Sequence, residues 1–236
     1  MLPRGILFDL DDTILAFDSV ADLVWTEVCR TYYRDCELSD YKELFNSIIE
    51  TRKWFWSDSK RNKKARQNLQ ETRREIVNFA LEHIGIKNLL LSQKIADSYT
   101  DQRDNFISFL PGAEETLKSL RNNNVSLALM TNGEAEYQRN KVERFNLARY
   151  FDVILIEGEI GFGKPDSEVY RIALEKLKLE PDAVWAVGDN LEWDVWGPQQ
   201  LGIFGIWNDY KNKGLPKFSK VVPDRIVNSI KELVEN

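Results

Sequence analysis

One histidine, two cysteines and no long apolar run set the first limits on this chain of 236 residues. The histidine, His83, falls in a stretch of helical spacing and is given no catalytic role. Cys29 and Cys36 lie seven residues apart. On a single helix that separation is about 10 Å, too far for a disulfide, so both are expected as free thiols. Free thiols suit a reducing cytoplasm. No segment approaches the roughly 18–20 consecutive apolar residues of a membrane span, so no membrane partner is expected. The opening Met1-Leu2-Pro3-Arg4-Gly5 lacks a signal-peptide layout and leads straight into a buried-looking strand. These readings place the protein in the cytoplasm. An excess of positive charge is also missing: the net charge of −6 favours solubility and argues against a general partner of nucleic-acid polymers.

What remains is an ordinary globular composition, 43% hydrophobic and 30% charged. The length suits one large domain, or a core carrying an insert. A chain of this size buries roughly 70–75% of its unfolded surface and needs no covalent staple.

Gly5 to Leu10 is a short apolar run ending in acids, the pattern of a buried strand. From Ala16 to Ser108 glycine and proline are sparse, charges are frequent, and apolar residues recur at helical spacing. Leu44, Ile48 and Ile49 show it, as do Ile76, Phe79, Ala80 and Ile84. This block reads as an all-helical insert of about four helices. Leu110-Pro111-Gly112 punctuates its end, and strands and helices then alternate. Strands are expected at 125–130, 153–156, 183–187 and 203–207. Helices are expected at 113–121, 134–145, 167–177, near 195–200, and at 226–234 as a closing helix. The alternation implies an α/β fold: a Rossmann-like parallel sheet with helices on both faces. The expected division is a core of residues 1–15 and 109–236, with a helical domain of residues 16–108 inserted after the first strand.

Four segments carry chemistry, each at the end of an apolar run. They are Phe8-Asp9-Leu10-Asp11-Asp12-Thr13, Met130-Thr131-Asn132-Gly133, Gly163-Lys164-Pro165-Asp166, and Val187-Gly188-Asp189-Asn190 with Asp194 following. Open parallel sheets bind ligands at the carboxyl ends of their strands, so segments distant in sequence can converge there. A carboxylate such as Asp9 can attack phosphorus. A second acid two residues on, Asp11, can protonate a departing alkoxide and later activate water. Thr131 and the backbone N–H groups after it can cradle phosphate oxygens. Lys164, between glycines and a proline, can stabilise negative charge in a transition state. Asp9 and Asp189 together offer two carboxylates to Mg²⁺. Taken singly, each segment also suits an ordinary turn or helix cap.

In this fixed order the segments resemble the haloacid dehalogenase superfamily. The resemblance implies that Asp9 is the nucleophile and a Mg²⁺ ligand. It makes Asp11 the acid/base, with its backbone carbonyl also on the metal. Thr131, Asn132 and Lys164 would hold phosphate, Asp189 would complete the metal set, and Asp194 would orient water or Lys164 from behind. The long gap from Asp9 to Thr131, against short gaps to Lys164 and Asp189, is similar to members whose helical cap lies between the first two motifs. An acid at Asp11 favours phosphate-ester chemistry over dehalogenation or phosphonate cleavage. Asp12 stands where many relatives carry glycine. The expected activity is a Mg²⁺-dependent phosphomonoester hydrolase working through an aspartyl-phosphate on a small phosphorylated metabolite. Sugar phosphates, nucleotides and phosphoglycolate-like compounds remain open as substrates. A phosphomutase is the alternative, and a non-catalytic phosphometabolite-binding protein a further one. Monomer and homodimer are both compatible with this reading.

In the expected cap, Trp54-Phe55-Trp56 cannot all face one core, since successive helical residues turn by about 100°. The basic run Lys60, Arg61, Lys63, Lys64, Arg66, Arg73 and Arg74 reads as a solvated face, with attraction of a polyanionic substrate as the functional alternative.

Overall fold

The computed structural model describes residues 2–235. The chain divides into two units, Met1–Ala16 with Ser108–Asn236, and Phe17–Ile107.

Among the described residues of the first unit, six strands form one parallel sheet. They are β1 Gly5–Phe8, β2 Ser126–Thr131, β3 Val153–Ile156, β4 Val184–Gly188, β5 Phe204–Asn208 and β6 Arg225–Val227. Their spatial order is β3-β2-β1-β4-β5-β6. β1 is paired on both sides, Phe8 lying opposite Leu129 of β2 and Val187 of β4. The order reverses at β1, the point where a doubly wound sheet opens a crevice at its carboxyl edge. β1 and most of β2 and β4 are buried, which is why they read as continuous apolar runs instead of alternating ones.

Residues just past β1 return on themselves. Asp12 N–H donates to Leu15 O at 2.6 Å, and Leu15 bridges antiparallel to Phe109. Asp12 has φ 60°, a left-handed conformation that glycine accepts freely and aspartate tolerates.

The second unit is helical. Among its described residues it has five helices, one more than expected: α1 Ala21–Tyr32, α2 Tyr41–Trp56, α3 Ser59–Ala65, α4 Leu69–His83 and α5 Leu89–Phe106. Asp40, Asp58, Asn68 and Asn88 cap the last four by accepting N–H bonds from the first turn. Of the periodic residues, Leu44, Ile48 and Ala80 join one core with Trp25, Val77 and Ile95, and Ile49 and Ile84 pack against it. Trp25 and Tyr99 stack there, centroids 3.8 Å apart. Ile76 packs instead with Phe55 and Ala65, and Phe79 is exposed. Cys29 and Cys36 are both buried and free. α1 ends before Cys36, so the two do not share one helix. Phe55 is buried and Trp56 half-buried, while Trp54 is 53% exposed beneath the Arg61 guanidinium, 4.3 Å from its ring. His83 closes α4 and is exposed.

The remaining helices belong to the first unit: α6 Ala113–Asn122, α7 Ala135–Arg144, α8 Glu157–Ile160, α9 Ser167–Leu177 and α10 Gly197–Gln199. Two expectations change. The closing helix over 226–234 is instead the edge strand β6 followed by a single 3₁₀ turn, Ile230–Leu233. Ser229 and Glu232 form a capping box on that turn, which separates it from the β-branched pair Ile226-Val227. The helix near 195–200 begins earlier, as a π-helical turn over Leu191–Trp196 that Asn190 caps.

Candidate active site

Asp9 follows β1 directly, and its N–H still donates to Val187 O at 2.9 Å. The nucleophile candidate is thus held by sheet hydrogen bonding at the switch point, its side chain 11% exposed. Lys164 arrives from the loop after α8. Its ammonium donates to Asp9 Oδ1 at 2.6 Å and to Asp194 Oδ1 at 2.7 Å. Asp194, in the π-helical turn after β4, accepts the Asn190 N–H on its other oxygen at 3.0 Å. Asp189 follows β4, and its carbonyl accepts from Trp207 Nε1 of β5 at 2.8 Å. Carboxylate oxygens of Asp9, Asp189 and Asp194 lie within 4.8 Å of one another.

Three acids so close repel one another. Burial pushes the Asp9 carboxyl up to about 7 against the opposing pull of Lys164, and Asp194 adds to the rise. Burial likewise raises Asp189 well above the ordinary carboxylate range, with Asp9 and Asp194 contributing. Burial alone would lower Lys164, but Asp194 and Asp9 outweigh it and keep the ammonium charged. One ammonium shared by Asp9 and Asp194 leaves the group acid-rich. A hard divalent cation with oxygen ligands fits this donor set.

Thr131 ends β2 and is buried. Asn132 turns its side chain onto the Lys164 peptide: Nδ2 donates to Lys164 O at 2.7 Å, and Oδ1 accepts from Lys164 N–H at 2.9 Å. Gly133, at φ 128°, donates its N–H to the buried Glu157 carboxylate at 2.9 Å. Gly163 could not carry a side chain, because a Cβ there would lie 2.4 Å from Asn132 Oδ1.

Asp11 is held from α7. Lys141 Nζ lies 2.6 Å from both carboxylate oxygens, and Gln138 Nε2 donates to Oδ2 at 3.0 Å. The same Gln138 nitrogen lies 2.8 Å from Thr131 Oγ1 and 2.7 Å from Asn132 O. Lys141 and Gln138 are each 4% exposed. Sequence reasoning missed both. Their signal was faint: two polar residues three apart, hence on one face of a helix otherwise rich in charge.

Asp9, Lys164, Asp189 and Asp194 therefore gather at one spot. Asp11 and Thr131 are tied to each other through Gln138. This sheet order, with acids and a lysine at the carboxyl edge around its switch point, defines a doubly wound α/β scaffold with an acid-rich candidate site. The chain belongs to the haloacid dehalogenase-like hydrolases, whose family pattern it matches over residues 3–202. It is 28% identical to the pyrimidine 5'-nucleotidase YjjG of Escherichia coli over 230 residues, 97% of this chain and 95% of that one. It is 34% identical to a phosphoserine phosphatase of Thermus thermophilus over 143 residues, which span 60% of this chain and 56% of that relative. Among solved structures, the HAD-hydrolase YfnB of Bacillus subtilis, bound to magnesium, matches with a TM-score of 0.75 at 20% identity, covering 99% of this chain and 97% of that one. At that identity the likeness concerns the fold.

Proposed function

We propose that this protein is a phosphomonoester hydrolase in which Asp9 attacks phosphorus and Asp11 serves as acid and then base. The observation that carries the reading is the buried Lys164 ammonium, bonded to both Asp9 and Asp194 with Asp189 beside them. Two relatives described as phosphatase and nucleotidase support the same reaction class. Asp9 forms the bond to phosphorus as the ester P–O bond breaks, and the proton on Asp11 passes to the leaving oxygen. Asp11 then takes a proton from water as that water attacks the aspartyl-phosphate, freeing phosphate and Asp9. Thr131 and the Lys164 ammonium hold the oxygens of the transferring group, and the backbone N–H of Asn132 assists. Asp9, the Asp11 carbonyl and Asp189 would hold Mg²⁺, which when bound offsets the carboxylate charge and polarises a phosphoryl oxygen. Asp194 keeps Lys164 in place. The substrate class is a small phosphorylated metabolite such as a nucleoside monophosphate or sugar phosphate.

The test is phosphate release from a panel of phosphomonoesters, with Mg²⁺ or with EDTA. Release that needs Mg²⁺ supports the reading, and the ranking of the panel names the substrate. Interconversion of isomers without net phosphate release would contradict hydrolysis in favour of a mutase.

A further inference from the structure

The geometry points to Lys141 and Gln138 of α7 as positioning residues that hold the acid/base carboxylate of Asp11 in register with the phosphate-binding hydroxyl of Thr131. This inference rests on the proposed role of Asp11.

A buried lysine is costly to keep charged unless paired, and Lys141 is 4% exposed. Its partner is Asp11: the ammonium sits equidistant from the two carboxylate oxygens, 2.6 Å from each. Such a contact fixes where the carboxyl group lies but leaves its plane free to turn. Gln138 supplies the second restraint, donating to Oδ2 alone at 3.0 Å. The two residues come from successive turns of one helix, so they approach Asp11 as a rigid pair. The Gln138 amide nitrogen also reaches Thr131 Oγ1 and the Asn132 carbonyl. Three residues from two distant segments thus meet at a single nitrogen. A shift of α7 would move the acid and the phosphate-binding hydroxyl together. A helix that only closed the core would bury apolar groups here, as Val142 does.

Orientation of a general acid matters most when the leaving group is a poor one. An alkoxide must receive its proton as the bond breaks, whereas p-nitrophenolate departs without it. Loss of Asp11 orientation should therefore appear as a steeper dependence of phosphoenzyme formation on leaving-group basicity. A uniform loss would report a merely structural defect.

The experiment measures single-turnover phosphoenzyme formation, by acid quench with Mg²⁺ present, on a series of aryl and alkyl phosphates of rising leaving-group basicity. The proteins are wild type, Asp11→Asn, Lys141→Met and Gln138→Leu. In Lys141→Met, alkyl phosphates should slow by about 10²-fold, the lower range for losing a positioned acid, while p-nitrophenyl phosphate changes several-fold at most. Gln138→Leu should steepen the series in the same sense but less. It removes no charge, so it serves if Lys141→Met does not fold. A steep series in Asp11→Asn with only uniform losses in both α7 variants would overturn the positioning role and leave the proposed function standing. A flat series in Asp11→Asn itself would remove the acid role of Asp11, and this inference with it.

Discussion

Asn132 grips the peptide of Lys164 from both sides, accepting its N–H at 2.9 Å and donating to its carbonyl at 2.7 Å. The side chain that Lys164 sends to Asp9 and Asp194 therefore starts from a backbone fixed by the segment after β2. Loops far apart in sequence are locked to each other before any ligand arrives, which is the preorganisation that electrostatic catalysis requires. Asn132→Ala removes both bonds at about 1 kcal/mol each. It should lower kcat by about 10–100-fold, because misplacement of about 1 Å can cost that much. Steady-state kinetics beside a urea melt separates the two effects.

Gly188 makes room for Asp194. A Cβ on residue 188 would lie 2.2 Å from Asp194 Cγ. Gly188→Ala should push Asp194 off Lys164 and reduce kcat/KM by about 10²-fold. Gly214→Ala is the contrast. That residue has φ 72° with nothing within 4 Å, so it should cost roughly 1 kcal/mol of stability and leave turnover unchanged. Equal losses of activity in both variants would contradict the steric argument.

Proton linkage follows from Asp9. Its folded value near 7 exceeds its ordinary 3.8, so without a cation the folded state binds more protons than the unfolded state between those limits. Stability of the cation-free protein should therefore fall as pH rises from about 4 through 7, and the raised Asp189 carboxyl acts in the same direction. Mg²⁺ needs the ionised carboxylates, so its binding should release protons below about pH 7 and tighten as pH rises. Calorimetry in two buffers of different ionisation heat reads the proton count. No buffer dependence at pH 6 would contradict this assignment.

Burial pushes the Cys29 thiol up to about 12 and the Cys36 thiol up to about 11. Both should stay protonated at pH 8 and react with a disulfide reagent far more slowly than in the unfolded chain. Thiol titration with and without urea measures this. Prompt labelling of the native protein would place them at the surface instead.

Much of the candidate site was legible because its residues stand at or near strand ends. Asp9, Thr131, Lys164 and Asp189 each stand beside apolar runs or glycines, and a parallel sheet brings such ends together. Gln138 and Lys141 were hidden because their burial depends on Asp11, 130 residues away from Lys141. The dual grip of Asn132 on Lys164 was hidden for the same reason: no local pattern encodes a bond across 32 residues. The C-terminus misled through its spacing. Ile226, Val227, Ile230 and Leu233 fall at helical intervals, yet the first two extend the sheet beside β5 and the others fill a capped turn. Tertiary pairing overrode a periodicity too short to hold a helix by itself.

Asp9 as nucleophile is the central claim. The most direct measurement is an acid quench of wild type and Asp9→Asn during turnover of p-nitrophenyl phosphate with Mg²⁺, followed by mapping of covalent phosphate on the peptides. The account predicts phosphate on the Asp9 peptide of wild type. In Asp9→Asn it predicts no phosphoenzyme and essentially no turnover, with the fold intact. Phosphate release at wild-type rate from Asp9→Asn, or a phosphoryl group trapped on another residue, would contradict it.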